Sequence, residues 1–189
     1  NKIAYYNDVK IDLIYNRNTD FYFKKEENKK FLEVLESSQT VISPSPQDHL
    51  IFADKKNLVL MSQNENLKNI IPLTLLVTKE NEQELWSNKK KYFFKPLNSY
   101  GGRGSYNGKG LTLKVWESIT NSEYVAQEII SPNSKSVIVD DQKETFKFDI
   151  RAYTYSGEIL LLVARTYQGQ TTNFRTKGGG FMPIFLTNN

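Results

Sequence analysis

The residues best suited to chemistry lie between Lys89 and Leu111, in KKKYFFKPLNSYGGRGSYNGKGL. A short aromatic strand, Tyr92-Phe93-Phe94, ends in Lys95-Pro96. Gly101, Gly102, Gly104, Gly108 and Gly110 follow, half of the chain's ten glycines. Glycine allows φ > 0 and brings backbone N–H groups close to a ligand. Successive N–H groups in such a turn form an anion-binding concavity. A strand that delivers one lysine to its edge has the makings of a polyphosphate cradle, and Pro96 fixes the strand exit. The competing reading of this stretch is a glycine-rich β-hairpin with nothing bound, because short glycine patterns match by chance.

Two familiar phosphate loops are excluded. A Walker A loop places its lysine after the glycines and opens a helix, whereas Lys95 precedes them. A Rossmann turn needs an immediate helix and a later acid. Here Gly110-Leu111-Thr112-Leu113 reads as strand-like.

A second group lies further on. Asp149 and Arg151 are two apart on one strand and share a face. A turn at Ser156-Gly157 returns the chain along Ile159–Tyr167, which sets Arg165 beside them, and Asn173 follows. One carboxylate, two guanidiniums and an amide suit a magnesium–phosphate complex. A solvated salt-bridge ladder is the commoner fate of such residues. His49 is the only histidine, which excludes a three-histidine metal site, and no base stands beside a serine in a nucleophile turn.

The elements that must position these groups follow from periodicity. Val9–Tyr15 alternates as a strand, Asn28–Glu36 has the apolar spacing of a helix, and Thr40–Ser43 reads as a short strand. That order implies a parallel pair. Asp48–Met61 reads as one helix with Lys55 and Lys56 in its middle. Leu73–Thr78 and Tyr124–Ile130 read as strands; Glu82–Trp86 and Val115–Ile119 read as helical turns. The rest is β-rich: Ser136–Val139, Phe146–Tyr155 and Ile159–Tyr167, with a flexible point at Gly178-Gly179-Gly180. The class is α+β with two lobes.

Bulk properties narrow the field. The 189 residues carry a net charge of +4, which suits an anionic ligand but is too weak to argue for nucleic acid. There is no cysteine, so disulfides, thiolate zinc sites and cysteine nucleophiles are excluded, in keeping with a cytoplasmic location. The longest apolar run, Ile159–Ala164, is far short of the roughly 18 residues of a membrane span. The polar start at Asn1 gives the expectation of a fragment or a processed product.

Taken in order, the pieces resemble the ATP-grasp superfamily, and within it the glutathione synthetase-like carboxylate–amine ligases. The resemblance rests on Asp54-Lys55, Phe94-Lys95-Pro96-Leu97 with its glycines, and Val125-Ala126-Gln127-Glu128. It continues through Asp149-x-Arg151, Ala164-Arg165 and Thr172-Asn173 before the triple glycine. Val9–Arg17 with Thr19-Asp20-Phe21 is similar to the pre-ATP lobe of that branch. The resemblance implies two β-sheet lobes: a partial pre-ATP strand–helix–strand element at 1–47, then a nucleotide-binding region at 48–189 whose small lobe spans about 73–130. It implies ATP held between the lobes, with Lys55 (or Lys56) and Lys95 on the phosphates and Gly101, Gly102 and Gly104 over them. Gln127, Glu128, Ile129 and Ile130 would meet adenine through backbone groups. Arg151 and Arg165 would serve the γ-phosphate and an acyl phosphate, and Asp149 and Asn173 would hold Mg2+. The substrates implied are a small carboxylate and an amine. One departure stands out: no Asp or Glu follows Arg165, where the family places its metal-holding acid and Glu-x-Asn pair. Either those ligands lie beyond Asn189, or Asp149 and Asn173 form a reduced site, or the protein binds nucleotide without ligase turnover.

Overall fold

The computed structural model describes residues 2–169, 174 and 177–186. It is a mixed α+β structure with several small sheets. The chain forms two compact units, Asn1–Ile129 and Ile130–Asn189.

The first unit opens with β1 (Tyr5–Tyr6) and β2 (Val9–Lys10), joined by Asn7 and Asp8 at φ 46° and 62°. A two-residue turn with both φ positive is the connection that matches strand twist, and Asn and Asp tolerate it. The expected single strand Val9–Tyr15 is therefore two pieces, because the first half turns back in this hairpin. The second half, β3 (Leu13–Tyr15), leads to α1 (Lys29–Ser37) and then β4 (Val41–Ser43). β3 and β4 pair in parallel with Ile14 opposite Ile42, as the strand–helix–strand order implied. The connection to α1 is pinned by Asp20, whose carboxylate accepts hydrogen bonds from the amides of Lys24 and Lys25 and from the Asn28 side chain. Phe23 is buried beneath it, against Phe31 of α1.

The expected helix Asp48–Met61 is two helices, α2 (Pro46–Phe52) and α3 (Lys56–Gln63). Ser45 caps α2 with a capping box to Asp48 and Pro46 at the first turn. The break between them is made by Asp54. Its Oδ1 accepts the Lys56 amide at 2.9 Å and its Oδ2 accepts the Tyr22 hydroxyl at 2.6 Å. An Asp side chain that bonds nearby backbone competes with the helix and starts a new one. Lys55 thus stands in the break, not in mid-helix.

Next come β5 (Thr74–Leu76), α4 (Glu82–Ser87), β6 (Tyr92–Pro96), β7 (Tyr106–Asn107), α5 (Leu113–Thr120) and β8 (Tyr124–Glu128). The sheet order is β5-β8-β6-β7, with every neighbour antiparallel. Alternation gives its faces different tasks. Phe94, Ala126, Leu75 and Tyr124 pack with Leu85 of α4 and Trp116 and Ile119 of α5 into the core cluster. Thr74, Phe93, Lys95, Val125 and Gln127 occupy the opposite face. Gly101, Gly102 and Gly104 lie in the β6–β7 hairpin connection, with Phe93 opposite Asn107. The expected strand Gly110–Leu113 is absent. Gly108–Gly110 is a 3-10 turn and α5 starts at Leu113, capped by the Thr112 hydroxyl, which accepts from the Val115 amide.

The second unit is one antiparallel sheet: β9 (Asn133–Val139), β10 (Gln142–Tyr155), β11 (Glu158–Tyr167) and β12 (Gly180–Pro183), in the order β12-β11-β10-β9. Asp140–Asp141 and Ser156–Gly157 make tight turns with positive φ. Among the described residues no helix is long and apolar enough to cross a membrane.

Two glycines of this stretch are needed for different reasons. A Cβ on Gly108 would lie 1.8 Å from the Lys89 carbonyl oxygen and 2.9 Å from that of Tyr92, both backbone atoms that cannot step aside. A Cβ on Gly101 meets nothing; only its φ of +58° opposes a side chain. Gly108→Ala is expected to lose roughly 2–3 kcal/mol or more in urea denaturation, as overpacking does. Gly101→Ala should lose only about 1–2 kcal/mol, the left-handed backbone strain.

Candidate functional site

Lys55 and Lys95 reach one region of the first unit from different elements. Lys55, at the α2–α3 break, donates from Nζ to the carbonyl oxygens of Leu97 and Ser99, each at 3.1 Å. These carbonyls lie just before Gly101, so Lys55 grips the root of the glycine turn. Lys56, the alternative from the sequence, points elsewhere and pairs loosely with Glu123 at 3.7 Å. Lys95, near the end of β6, donates to Gln127 Oε1 at 2.5 Å and lies 5.8 Å from the Phe93 ring centroid.

Both amino groups are held below the ordinary lysine range. Burial is the main cause for each; for Lys55 the Lys95 charge adds to it, opposed by Asp54. Neither lysine forms an ion pair among the described residues. Two partly buried amino groups, one of them lowered further by the other and both hydrogen-bonded only to neutral oxygens, form a site that an anion would relieve.

A hydrogen-bonded relay sets the position of Lys95. Gln127 Nε2 donates to Thr74 Oγ1 at 3.0 Å, so its Oε1 must face Lys95. The fully buried Thr74 exchanges bonds with Ser62 of α3: its amide donates to Ser62 Oγ at 3.1 Å, and Ser62 Oγ donates to the Thr74 carbonyl at 3.2 Å. The relay ties the helix that follows Lys55 to the strand that carries Lys95. The amides of Glu128 and Ile129 are engaged by the Leu73 and Lys91 carbonyls. Ile130 is exposed and begins the second unit.

In the glycine turn Gly101, Gly102 and Gly104 have φ of +58°, +74° and +67°. Gly101 and Gly102 face open space. Gly104 is fastened, since the Tyr124 hydroxyl donates to its carbonyl at 3.0 Å and Pro96 lies against it.

In the second unit the register sets Asp149 directly opposite Arg165, as the hairpin reading placed them. Arg165 Nε donates to Asp149 Oδ1 at 2.6 Å, with both side chains half-buried. Arg151 shares the face, is exposed, and lies 5.9 Å from the Tyr153 ring centroid. Lys147 lies on the same face and donates to the Gly169 carbonyl. The face therefore carries three cations around one carboxylate. Asn173 lies outside the described residues. Among the described residues no group of three or more His, Cys, Asp or Glu could hold a metal ion.

Sequence reasoning did not reach Gln127 as a side chain, Ser62 or Thr74. The signal was present, a polar residue alternating within an apolar strand at Gln127, but its partners come from two other strands. The aromatic surroundings of His49 were equally out of reach.

No protein-family model matches the chain, and no curated protein sequence matches it. A solved structure of the ATP-grasp ligase PsnB complexed with minimal precursor is similar over 77% of this chain, with a TM-score of 0.37 and 16% identity. The match covers 48% of that chain, so this one spans about half its length. With a likeness that distant, the residues themselves must carry the functional reading.

The lysine environment has a measurable consequence. Lys95 is harder to protonate folded than unfolded, so its charge destabilises the fold at every pH below its lowered native value. The penalty is relieved as pH rises from there to the ordinary 10.5. Lys95→Gln keeps a donor for Gln127 and removes the charge. The variant is expected to melt at or above the wild type at pH 7, with its advantage shrinking as pH rises through that window. A wild-type protein more stable than Lys95→Gln at pH 7 would overturn this account.

Proposed function

We propose that the first unit binds the polyphosphate of ATP at Lys55, Lys95 and the glycine turn, and that the protein is an ATP-grasp-like, ATP-dependent carboxylate–amine ligase. One observation carries this reading. Two partly desolvated lysines from separate elements, neither in an ion pair among the described residues, converge at the root of a turn with three positive-φ glycines. Such a set fits phosphate oxygens: point charges from lysine and N–H groups from the turn. Lysine and arginine neutralise charge in phosphoryl transfer. In this proposal residues 1–47 are the substrate-side element and 73–130 the small lobe. In the first unit Gln127, Glu128 and Ile129 meet the adenine; in the second, Ile130 is the remaining adenine candidate, and Arg151 and Arg165 are the candidates for a γ-phosphate and an acyl phosphate. The Gln127 side chain, bonded to Lys95, additionally sets that lysine.

Magnesium fits the described residues less well. Asp149 already accepts from Arg165, and it would coordinate a metal only by loosening that guanidinium. A metal can take most of its oxygens from phosphates and water, with one or two from protein. That arrangement favours the second reading, nucleotide binding without ligase turnover.

Calorimetry tests the first claim. Lys95→Ala should lose roughly 2–4 kcal/mol of ATP affinity, the scale of removing a charged partner from a dry site. Lys95→Arg should not restore it fully. Unchanged affinity in Lys95→Ala would remove the claim. Proteolysis tests the turn: ATP with magnesium should slow cutting between Tyr100 and Lys109, and equal cutting with and without it would favour the empty hairpin.

Asp149→Asn separates the two readings of the metal. If Asp149 holds magnesium, the variant should bind ATP equally with and without it, while the wild type binds more tightly with it. ADP release with pooled amino acids then reports ligase turnover; its absence in a protein that binds ATP supports binding alone.

A further inference from the structure

A cleft of about 490 Å³ opens in the first unit between the segment after β3 and helix α2. Its walls include Tyr15, Phe21, Phe52 and Tyr100, with Arg17 and His49 among them. The two asparagines of the lining are spent on holding the segment in place. Asn16 donates its side-chain amide to the Pro44 carbonyl, and its Oδ1 accepts the Asn18 amide. Asn18 Oδ1 accepts the Asp20 amide, and its own amide donates to Asn28. The one acid in the lining, Asp48, is turned into the capping box of α2. There the Ser45 amide holds its carboxyl below the usual range and the helix start offsets its charge.

Arg17 is different. It is exposed, its Cζ lies 5.9 Å from the Tyr15 ring centroid, and it makes no ion pair among the described residues. A guanidinium beside aromatic walls offers one planar fork and a large apolar body site. The fork matches one carboxylate, and the rings match an apolar or aromatic group; the volume is that of a small-molecule pocket. A polyphosphate would find one guanidinium in the lining itself, with Arg103 set apart against the Tyr100 ring.

The cleft touches the glycine turn through Tyr100. That ring meets Phe21 edge-on at 6.1 Å, Phe21 stacks on His49 at 4.1 Å, and Gly101 follows Tyr100 directly. His49 Nε2 is buried in this stack, and Asn98 is a hydrogen-bonding side chain beside the ring.

We infer that this cleft is a ligand site for a carboxylate carried on an aromatic or apolar body, with Arg17 as its anchor, and that filling it orders the glycine turn through Tyr100. The ligand site stands on its own geometry; the link to the turn gains its purpose from the nucleotide reading above.

The test uses 3-phenylpropanoate as probe, 3-phenylpropanamide and inorganic phosphate as controls, and Gly-Gly-Phe as a peptide carboxylate. Binding is followed by chemical-shift titration, and the turn by the rate of tryptic cutting after Arg103. The acid should bind at least tenfold more tightly than the amide or phosphate. Arg17→Gln should abolish that preference with an unchanged melting temperature, and Arg17→Lys should keep part of it. The occupied cleft should slow cutting at least threefold in the wild type and in Lys95→Ala, but not in Tyr100→Ala. If the tripeptide binds more tightly than the free acid, the ligand is a peptide carboxylate; the reverse order assigns a free acid. Equal binding of acid and amide, equal binding of phosphate, no binding at 10 mM probe (about the weakest affinity class that shifts report), or a preference that survives Arg17→Gln would overturn the site. Unaltered cutting with the cleft filled would overturn the link to the turn. Loss of ATP binding in Lys95→Ala with probe binding intact, and the reverse in Arg17→Gln, keeps this inference separate from the nucleotide reading.

Discussion

Lys95 holds a charge in a place that water reaches poorly, and its one hydrogen-bond partner among the described residues is the neutral oxygen of Gln127. Much of the first unit is arranged around that fact. A lone cation with a neutral acceptor is not satisfied as an ion pair would be, and burial works against its charged form. It persists because its surroundings are fixed. Gln127 cannot turn its oxygen away while Thr74 holds its amide, and Thr74 is fully buried and bonded in turn to Ser62. Local instability of this kind is a common mark of sites that wait for a ligand of opposite charge.

The same sheet supports this polar face by being an ordinary hydrophobic layer on the other side. Phe94 and Ala126 are fully buried against Trp116 and Ile119, and Phe94 meets the Trp116 ring edge-on at 5.3 Å. Lys95 follows Phe94 directly, so the strand that anchors the core also presents the cation. A slip of one residue would exchange the two faces, burying Lys95 in the aromatic cluster and exposing Phe94. The core therefore specifies the register, and the register specifies the site.

What could be read from the sequence was whatever depends on near neighbours. The strand delivering Lys95 into a glycine-rich connection, the parallel pair around α1, and the β10–β11 register that sets Arg165 opposite Asp149 all follow from alternation and turn residues within one short stretch. The misses were of two kinds. Asp54 and Thr112 act through side-chain bonds to backbone that periodicity does not see; one divided an expected helix and the other turned an expected strand into a helix start. The relay from Ser62 to Lys95 and the stack of His49 on Phe21 join residues far apart in the chain, and no spacing rule connects them. Asn173 was legible as a candidate ligand, but it lies outside the described residues.

The hairpin that carries the glycines is moored at several posts. Lys89 donates to the Leu111 carbonyl at 2.7 Å while its own carbonyl presses against Gly108, and Tyr124 holds Gly104. Lys55 holds the carbonyls of Leu97 and Ser99 at the other end. Only the few residues from Tyr100 to Arg103 lie between the moorings. Freezing a residue's backbone costs about 1–2 kcal/mol in conformational entropy. The entropic toll of settling this turn onto anything is thus confined to a handful of residues, while the strands on either side are already ordered.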